Sequence, residues 1–194
     1  MNTPTHVLVS AAVLAKPGEQ HAGRNWAVLI GAIIADLSIF VMYFWTRLLM
    51  GQPEDLIWRE IYFTPFWQSI GMIANSFPLY ASAALLAWWR GWQIVFVFAV
   101  SALLHVSFDF PVHNDDAHAH FWPLTTWRFE SPLSYWDPDH FGLWVAGFEV
   151  IFAIILVVIL WTRFPKPIPR TAMSIGLLAY VAVPAYFLKQ FGVW

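Results

Sequence analysis

Two apolar stretches of the sequence carry ionisable residues that could bind a metal ion. Asp36 lies in the middle of the run 26–45, and His105 and Asp109 close a second apolar run, QIVFVFAVSALL. At this spacing His105 and Asp109 project from one face of a helix and could bind one ion or each other. A charge in hydrocarbon costs several kcal/mol and normally persists only beside a partner, a metal or water. These residues predict a site, although a lone HxxxD pattern also fits a His and an Asp at the water interface.

The segment that follows is rich in the same ligand types. Between Asp109 and His140 the chain places half of its acidic residues and four of its 7 histidines, against one basic residue, Arg128. Imidazole and carboxylate groups bind Zn, Mn or Fe, and surplus negative charge attracts a divalent cation. The candidate ligands are His113, Asp115, Asp116, His118 and His120. An ordinary solvated loop is the alternative interpretation of this segment.

The composition indicates an integral membrane protein. The chain is 59% hydrophobic and 11% charged, with a mean hydropathy of +0.59, which lies outside the range of soluble domains. Because the chain has no cysteine, any metal must be held by nitrogen and oxygen atoms. The net charge of −2 gives no argument for nucleic-acid binding.

We predict an all-α membrane bundle that forms a single domain over residues 1–194. A transmembrane helix needs about 20 apolar residues. The predicted spans are 26–46, 67–89, 92–108, 141–161 and 172–188. The run 6–15 is too short to span alone and predicts a short, partly inserted N-terminal helix. Residues 109–140 form a long polar loop over the site.

Basic residues predict the orientation weakly. Six basic residues fall on the same side as the segment before residue 26: Lys16, Arg24, Arg90, Arg163, Lys166 and Arg170. Four fall on the other side: Arg47, Arg59, Arg128 and Lys189. The positive-inside rule then places the first set in the cytoplasm. The linker RFPKPIPR (163–170) is typical of a short cytoplasmic connection. The long loop is therefore predicted on the non-cytoplasmic side.

Helix geometry brings the candidate ligands to similar depth. From the cytoplasmic ends of their helices, His6 lies roughly 15 Å away, Asp36 roughly 18 Å and His105 roughly 21 Å. Asp109 lies one turn beyond His105. A helical hairpin that turns at 16–25 would place His6 beside Asp36.

Three further polar residues lie within predicted spans. Asn75 and Ser76 precede Pro78, which should loosen the helix and free carbonyl groups. Ser76 could equally bond back to its own helix. Glu149 lies about three turns into an apolar helix, so it should pair with an Arg or a His, or lie beside the site.

Several motifs resemble those of the YdjM-like family of inner-membrane metal-dependent hydrolases. They are TPTHVLVSAAVLA, GAIIAD and HVSFDFPVHNDDAHAHFWPLTTWRF, which together span most of residues 1–130. The resemblance nominates as metal ligands His6, Asp36, His105 and Asp109, with Trp122 and Pro123 as a trailing landmark. Two departures stand out: Ala35 replaces a proline, and Asn75-Ser76 replaces a His-Ser pair.

These observations lead us to expect a metal-dependent hydrolase in a bacterial-type inner membrane, acting on a lipid or other amphiphilic ester or phosphoester. One divalent ion, zinc before manganese or iron, would be bound by the four nominated ligands with help from His113, His118 and His120. Asp116 or Glu149 would act as general base.

Two other functions stay open at this point. A non-catalytic subunit of a larger membrane complex would use the buried polar groups for helix contacts with a protein partner. An ion or proton transporter would use Asp36 and Glu149 as relays. A subunit needs no common point for the four nominated ligands, so their convergence discriminates between enzyme and subunit.

Overall fold

The computed structural model describes residues 1–191, without the side chains of 179 and 181–191. Every regular element in this part of the chain is helical. The helices are α1 (Thr3–Leu14), α2 (Ala22–Phe44), α3 (Glu54–Leu56), α4 (Pro65–Ala74), α5 (Phe77–Arg90), α6 (Gln93–Asp109), α7 (Gly142–Arg163) and α8 (Pro167–Phe191). The all-α prediction is confirmed.

Three helical stretches of the described chain are long and apolar enough to cross a membrane. They are Glu19–Leu49, Pro65–Arg90 and Gly142–Arg163. The predicted span 92–108 corresponds to α6, a shorter apolar helix of 17 residues, and the predicted short helix 6–15 corresponds to α1. The predicted span 172–188 lies in α8, mostly at residues whose side chains are not described.

Helices α2 and α6 pack closely and run parallel. A Cβ atom on Gly31 would lie 2.4 Å from the Phe98 carbonyl oxygen, so only glycine permits this approach. One turn along each helix separates the two cross-helix hydrogen bonds, from Ser101 Oγ to the Val28 carbonyl and between His105 and the Ala32 carbonyl. Small residues and polar side chains at helix contacts are typical of membrane bundles.

Helix α1 lies between α2 and α7. Arg24 on α2 donates to the Leu14 carbonyl at the C-terminal end of α1, whereas Thr3 at the N-terminal end donates to Asp36. The two helices are therefore antiparallel, as the predicted hairpin requires. The apolar side of α1 packs against α7 and α8 in a core that contains Leu8, Val9, Ala153, Leu156, Val157, Leu160 and Met173.

The stretch Pro65–Arg90 is interrupted at Asn75 and Ser76, where α4 ends and α5 begins. Ser76 caps α5 by accepting from the Leu79 amide, and its hydroxyl donates to the Trp122 carbonyl. The Phe77 amide donates to the His120 carbonyl at 2.8 Å. The loop after α6 thus satisfies backbone groups that the break exposes, which a break within a membrane requires.

Candidate metal centre

Side chains from three helices meet at one point. Ligand atoms of His6 on α1, Asp36 on α2 and His105 on α6 all lie within 4.8 Å of one another. Both imidazole rings are buried, and Asp36 is partly buried. The rings of His6 and His105 stack, with centroids 3.6 Å apart and planes 12° apart. The predicted convergence of α1, α2 and α6 is confirmed for these residues.

Asp109 lies beside His6, Asp36 and His105, outside the three residues whose ligand atoms converge, and is 2% exposed. Its Oδ1 atom lies 2.9 Å from His6 Nε2, 2.7 Å from the Met1 amino nitrogen and 3.5 Å from His113 Nε2. Its Oδ2 atom lies 2.9 Å from His105 Nε2. The two carboxylate oxygens therefore face different histidines.

His105 has the environment of a metal-ligating histidine. Its Nδ1 atom lies 2.7 Å from the Ala32 carbonyl oxygen, which can only accept a hydrogen bond, so Nδ1 carries a proton and Nε2 is the nitrogen that can bind a metal when the ring is neutral. Nε2 faces Asp36 Oδ1 at 3.5 Å and Asp109 Oδ2 at 2.9 Å, yet no contact has hydrogen-bond alignment. Between two carboxylates, Nε2 needs either a proton of its own or a metal cation, and an Nδ1 hydrogen bond to a carbonyl is usual for a metal ligand.

Two further features fit a cation at this position. The Nδ1 atom of His6 is buried and has no hydrogen-bond partner. Thr3 Oγ1 donates to Asp36 Oδ2 at 2.5 Å and so orients that carboxylate. Thr3 was not predicted from the sequence; its position three residues before His6, on the same face of α1, is the signal that could have identified it.

His113 and Asp116 lie next to this group in the loop. His113 is 6% exposed and its Nδ1 atom lies 2.8 Å from Asp116 Oδ2. Burial lowers the pKa of His113, but the contacts with Asp109 and Asp116 outweigh burial and raise it to about 8. Burial raises the pKa of Asp116, but the contacts with His113, His118 and Trp136 together lower it more, so this carboxylate is ionised at neutral pH.

His118 and His120 are buried in the loop, outside the group of His6, Asp36 and His105. Burial lowers the pKa of His118 to about 3, and this ring lines a cavity of about 10 Å³ that has room for about one water. The His120 Nδ1 atom pairs with the Asn75 carbonyl at 2.9 Å, where it holds the loop to the helix break. A solvated loop is therefore the wrong interpretation for His113, His118 and His120, since all three are buried, whereas Asp115 is exposed.

Glu149 on α7 accepts four hydrogen bonds. They come from the Asn2 amide at 2.8 Å, the Asn2 side chain at 3.0 Å, Thr5 at 2.6 Å and Tyr180 at 2.9 Å. None of these donors is the Arg or His that the sequence led us to expect. The contacts explain its burial by anchoring α1 to α7 and α8, and a catalytic role for Glu149 stays a prediction.

The chain matches none of the protein-family models, curated proteins or solved structures with which it was compared. The resemblance to the YdjM-like family therefore rests on the sequence motifs.

Proposed function

We propose that this chain is a multi-pass membrane enzyme that uses a divalent metal ion to hydrolyse an ester or phosphoester of a lipid or other amphiphile. The observation that carries the proposal is the meeting of His6, Asp36 and His105, from three helices, around ring nitrogens that lack aligned hydrogen-bond partners. Helix packing alone needs no common point for these side chains. Their convergence therefore favours a metal site over an accessory subunit.

His6, Asp36, His105 and Asp109 would hold the ion, and zinc is the ion we expect before manganese or iron. When bound, the ion would polarise a carbonyl or phosphoryl oxygen and activate water for attack. The contacts to Thr3 and the Ala32 carbonyl orient Asp36 and His105 before substrate arrives.

Asp116 is the carboxylate we favour as proton acceptor. Its Oδ1 atom is buried and has no hydrogen-bond partner, whereas Oδ2 contacts His113 and accepts from the Trp136 indole at 3.2 Å. Glu149 is a weaker candidate because both of its oxygens already accept hydrogen bonds.

The distribution of basic residues supports a site on the non-cytoplasmic side. Arg24 and Arg163 both donate to carbonyls near the C-terminal end of α1, and Lys166 pairs with Glu19 in the same region. The metal group lies at the opposite end of α1. By the positive-inside rule the basic end faces the cytoplasm. We propose a bacterial-type inner membrane, with α6 and α8 completing five spans, and a lipid as the natural substrate of a site at this depth.

A lipid assay of the purified protein tests this function. Wild type, Asp36→Asn and the exposed control Asp55→Asn would be reconstituted with zinc or manganese in vesicles that contain phosphomonoester, phosphodiester and carboxyl-ester lipids. We expect metal-dependent release of product by wild type and Asp55→Asn, and at least a 100-fold lower rate for Asp36→Asn. Equal rates for Asp36→Asn and wild type, or no release from any lipid class by metal-loaded wild type, would overturn the proposal.

A further inference from the structure

His113 repeats around Asp109 the arrangement of His105. His105 directs Nε2 at Asp109 Oδ2 while an oxygen atom lies beside its Nδ1. His113 directs Nε2 at the other oxygen, Oδ1, while Asp116 Oδ2 lies 2.8 Å from its Nδ1. A carboxylate beside the second ring nitrogen is the usual outer partner of a metal-bound histidine.

The atoms around His113 lack the partners that burial demands. Both ring nitrogens and Asp116 Oδ1 are buried without an aligned hydrogen bond. Buried polar atoms are normally satisfied, so each unpaired one needs an explanation. A cation bound to His113 Nε2 would give this nitrogen the partner that it lacks.

The distance between His113 Nε2 and Asp109 Oδ1 fits a shared ion. It is 3.5 Å, at the outer limit for a hydrogen bond. Two nitrogen or oxygen ligands of one zinc ion lie about 3.3 Å apart when each is about 2.0–2.1 Å from the metal in tetrahedral geometry. The Met1 amino group lies 2.7 Å from the same oxygen, and because like charges repel, a cation at this position would displace it.

We propose that Asp109 is shared by two divalent cations, one held with His6, Asp36 and His105 and the second held with His113. This inference rests on the metal centre of the proposed function and deepens it. With only two protein ligands the second position binds more weakly and leaves room for substrate oxygens. Two adjacent cations suit in-line displacement at phosphorus, so the substrate class becomes a phosphoester lipid rather than a carboxyl ester.

Metal stoichiometry tests the proposal without any activity assay. Detergent-purified wild type, His113→Asn, His113→Gln and the control His140→Asn would be titrated with Mn²⁺ and followed calorimetrically and by electron paramagnetic resonance. His140 lies in the same loop but pairs with Asp137. We expect two ions and a spin-coupled spectrum for wild type and His140→Asn. We expect one uncoupled ion for both His113 variants, with the weaker affinity reduced at least tenfold and unfolding midpoints close to that of wild type.

The outcomes separate this inference from the proposed function. One uncoupled ion in wild type, unchanged by the His113 variants, would overturn the second site and leave His113 as an ion-pair partner of Asp109 and Asp116. Two coupled ions without hydrolysis of any lipid would keep the second site and overturn the hydrolase function. No bound ion in folded wild type would overturn both.

Discussion

Asp109 and Glu149 are both acidic residues buried in apolar helices, but their surroundings differ. Glu149 accepts hydrogen bonds from Asn2, Thr5 and Tyr180, all of which carry a proton to donate. Asp109 contacts the Met1 amino group and three imidazole rings, and ring nitrogens of His105 and His113 beside it lack aligned hydrogen bonds.

The groups around a buried acid indicate whether it serves helix contacts or a metal site. A buried acid whose acceptors are filled by neutral donors is accounted for by structure alone. A buried acid beside ring nitrogens that lack aligned hydrogen bonds is instead a candidate for binding a metal cation. On this criterion we propose that Asp109 serves the metal site and that Glu149 serves the helix contacts.

Substitutions of Asp109 and Glu149 should differ most in their effect on metal affinity. Asp109→Asn should lower it on the order of 1,000-fold, beyond the 10–100-fold that loss of an outer partner costs. Glu149→Gln should leave it within about twofold, since Glu149 contacts no member of the metal group. Calorimetric zinc titration measures both variants. A larger loss in Glu149→Gln than in Asp109→Asn would reverse the assignment.

Substitution of Glu149 should instead lower the stability of the folded protein. Glu149→Leu leaves the buried donors of Asn2, Thr5 and Tyr180 without an acceptor, so we expect a loss of about 3 kcal/mol. Tyr180→Phe removes one donor from the same cluster and should cost about 1 kcal/mol. Denaturant unfolding in detergent measures both, and the exposed Glu60→Leu serves as control. Equal stability of Glu149→Leu and Glu60→Leu would contradict a scaffold role.

The close approach of α2 and α6 positions the metal site. It does not position Glu149, which lies on α7. Gly31→Ala would place Cβ 2.4 Å from the Phe98 carbonyl oxygen and force the helices apart, at a cost of about 1–3 kcal/mol. Zinc affinity should fall about tenfold, because Asp36 lies on α2 and His105 lies on α6. Gly147→Ala is the matched control, since nothing lies within 4 Å of its added Cβ. Unchanged zinc affinity in Gly31→Ala would show that this contact does not position the site.

His118, in the buried loop, should make the stability of the protein depend on pH. The folded protein holds the pKa of His118 at about 3, below the ordinary value of 6.5. Between these values the unfolded chain binds a proton that the folded protein does not, so stability falls as the pH drops below 6.5. We expect a loss of about 2 kcal/mol from this group between pH 7 and 5. The raised pKa of His113 acts in a separate window, since its contribution is lost between pH 6.5 and 8.

Thermal unfolding from pH 7 to pH 5 tests this dependence. His118→Gln should show a smaller decline than wild type. An equal decline in the two proteins would mean that His118 takes up its proton in the folded state.

Much of the site could be predicted from local rules. The rise of a helix places His6, Asp36 and His105 at similar depth, and the i, i+4 spacing adds Asp109. The break at Asn75 and Ser76 follows from the nearby proline in the same way.

The remaining features depend on contacts distant in sequence. The pairing of His120 with the Asn75 carbonyl joins residues 45 apart, and Tyr180 lies 31 residues from Glu149. No periodicity encodes such partners. The sequence therefore showed that Glu149 must be satisfied, but not that neutral donors satisfy it.

The most direct test of the metal centre is the metal content of single variants on three helices. Elemental mass spectrometry of purified, folded His6→Ala, Asp36→Asn and His105→Ala beside wild type makes this measurement. We expect near-stoichiometric zinc in wild type and loss of the tightly bound ion in every variant, since each helix supplies one ligand. Metal-free wild type, or zinc retained in all three variants, would contradict this expectation.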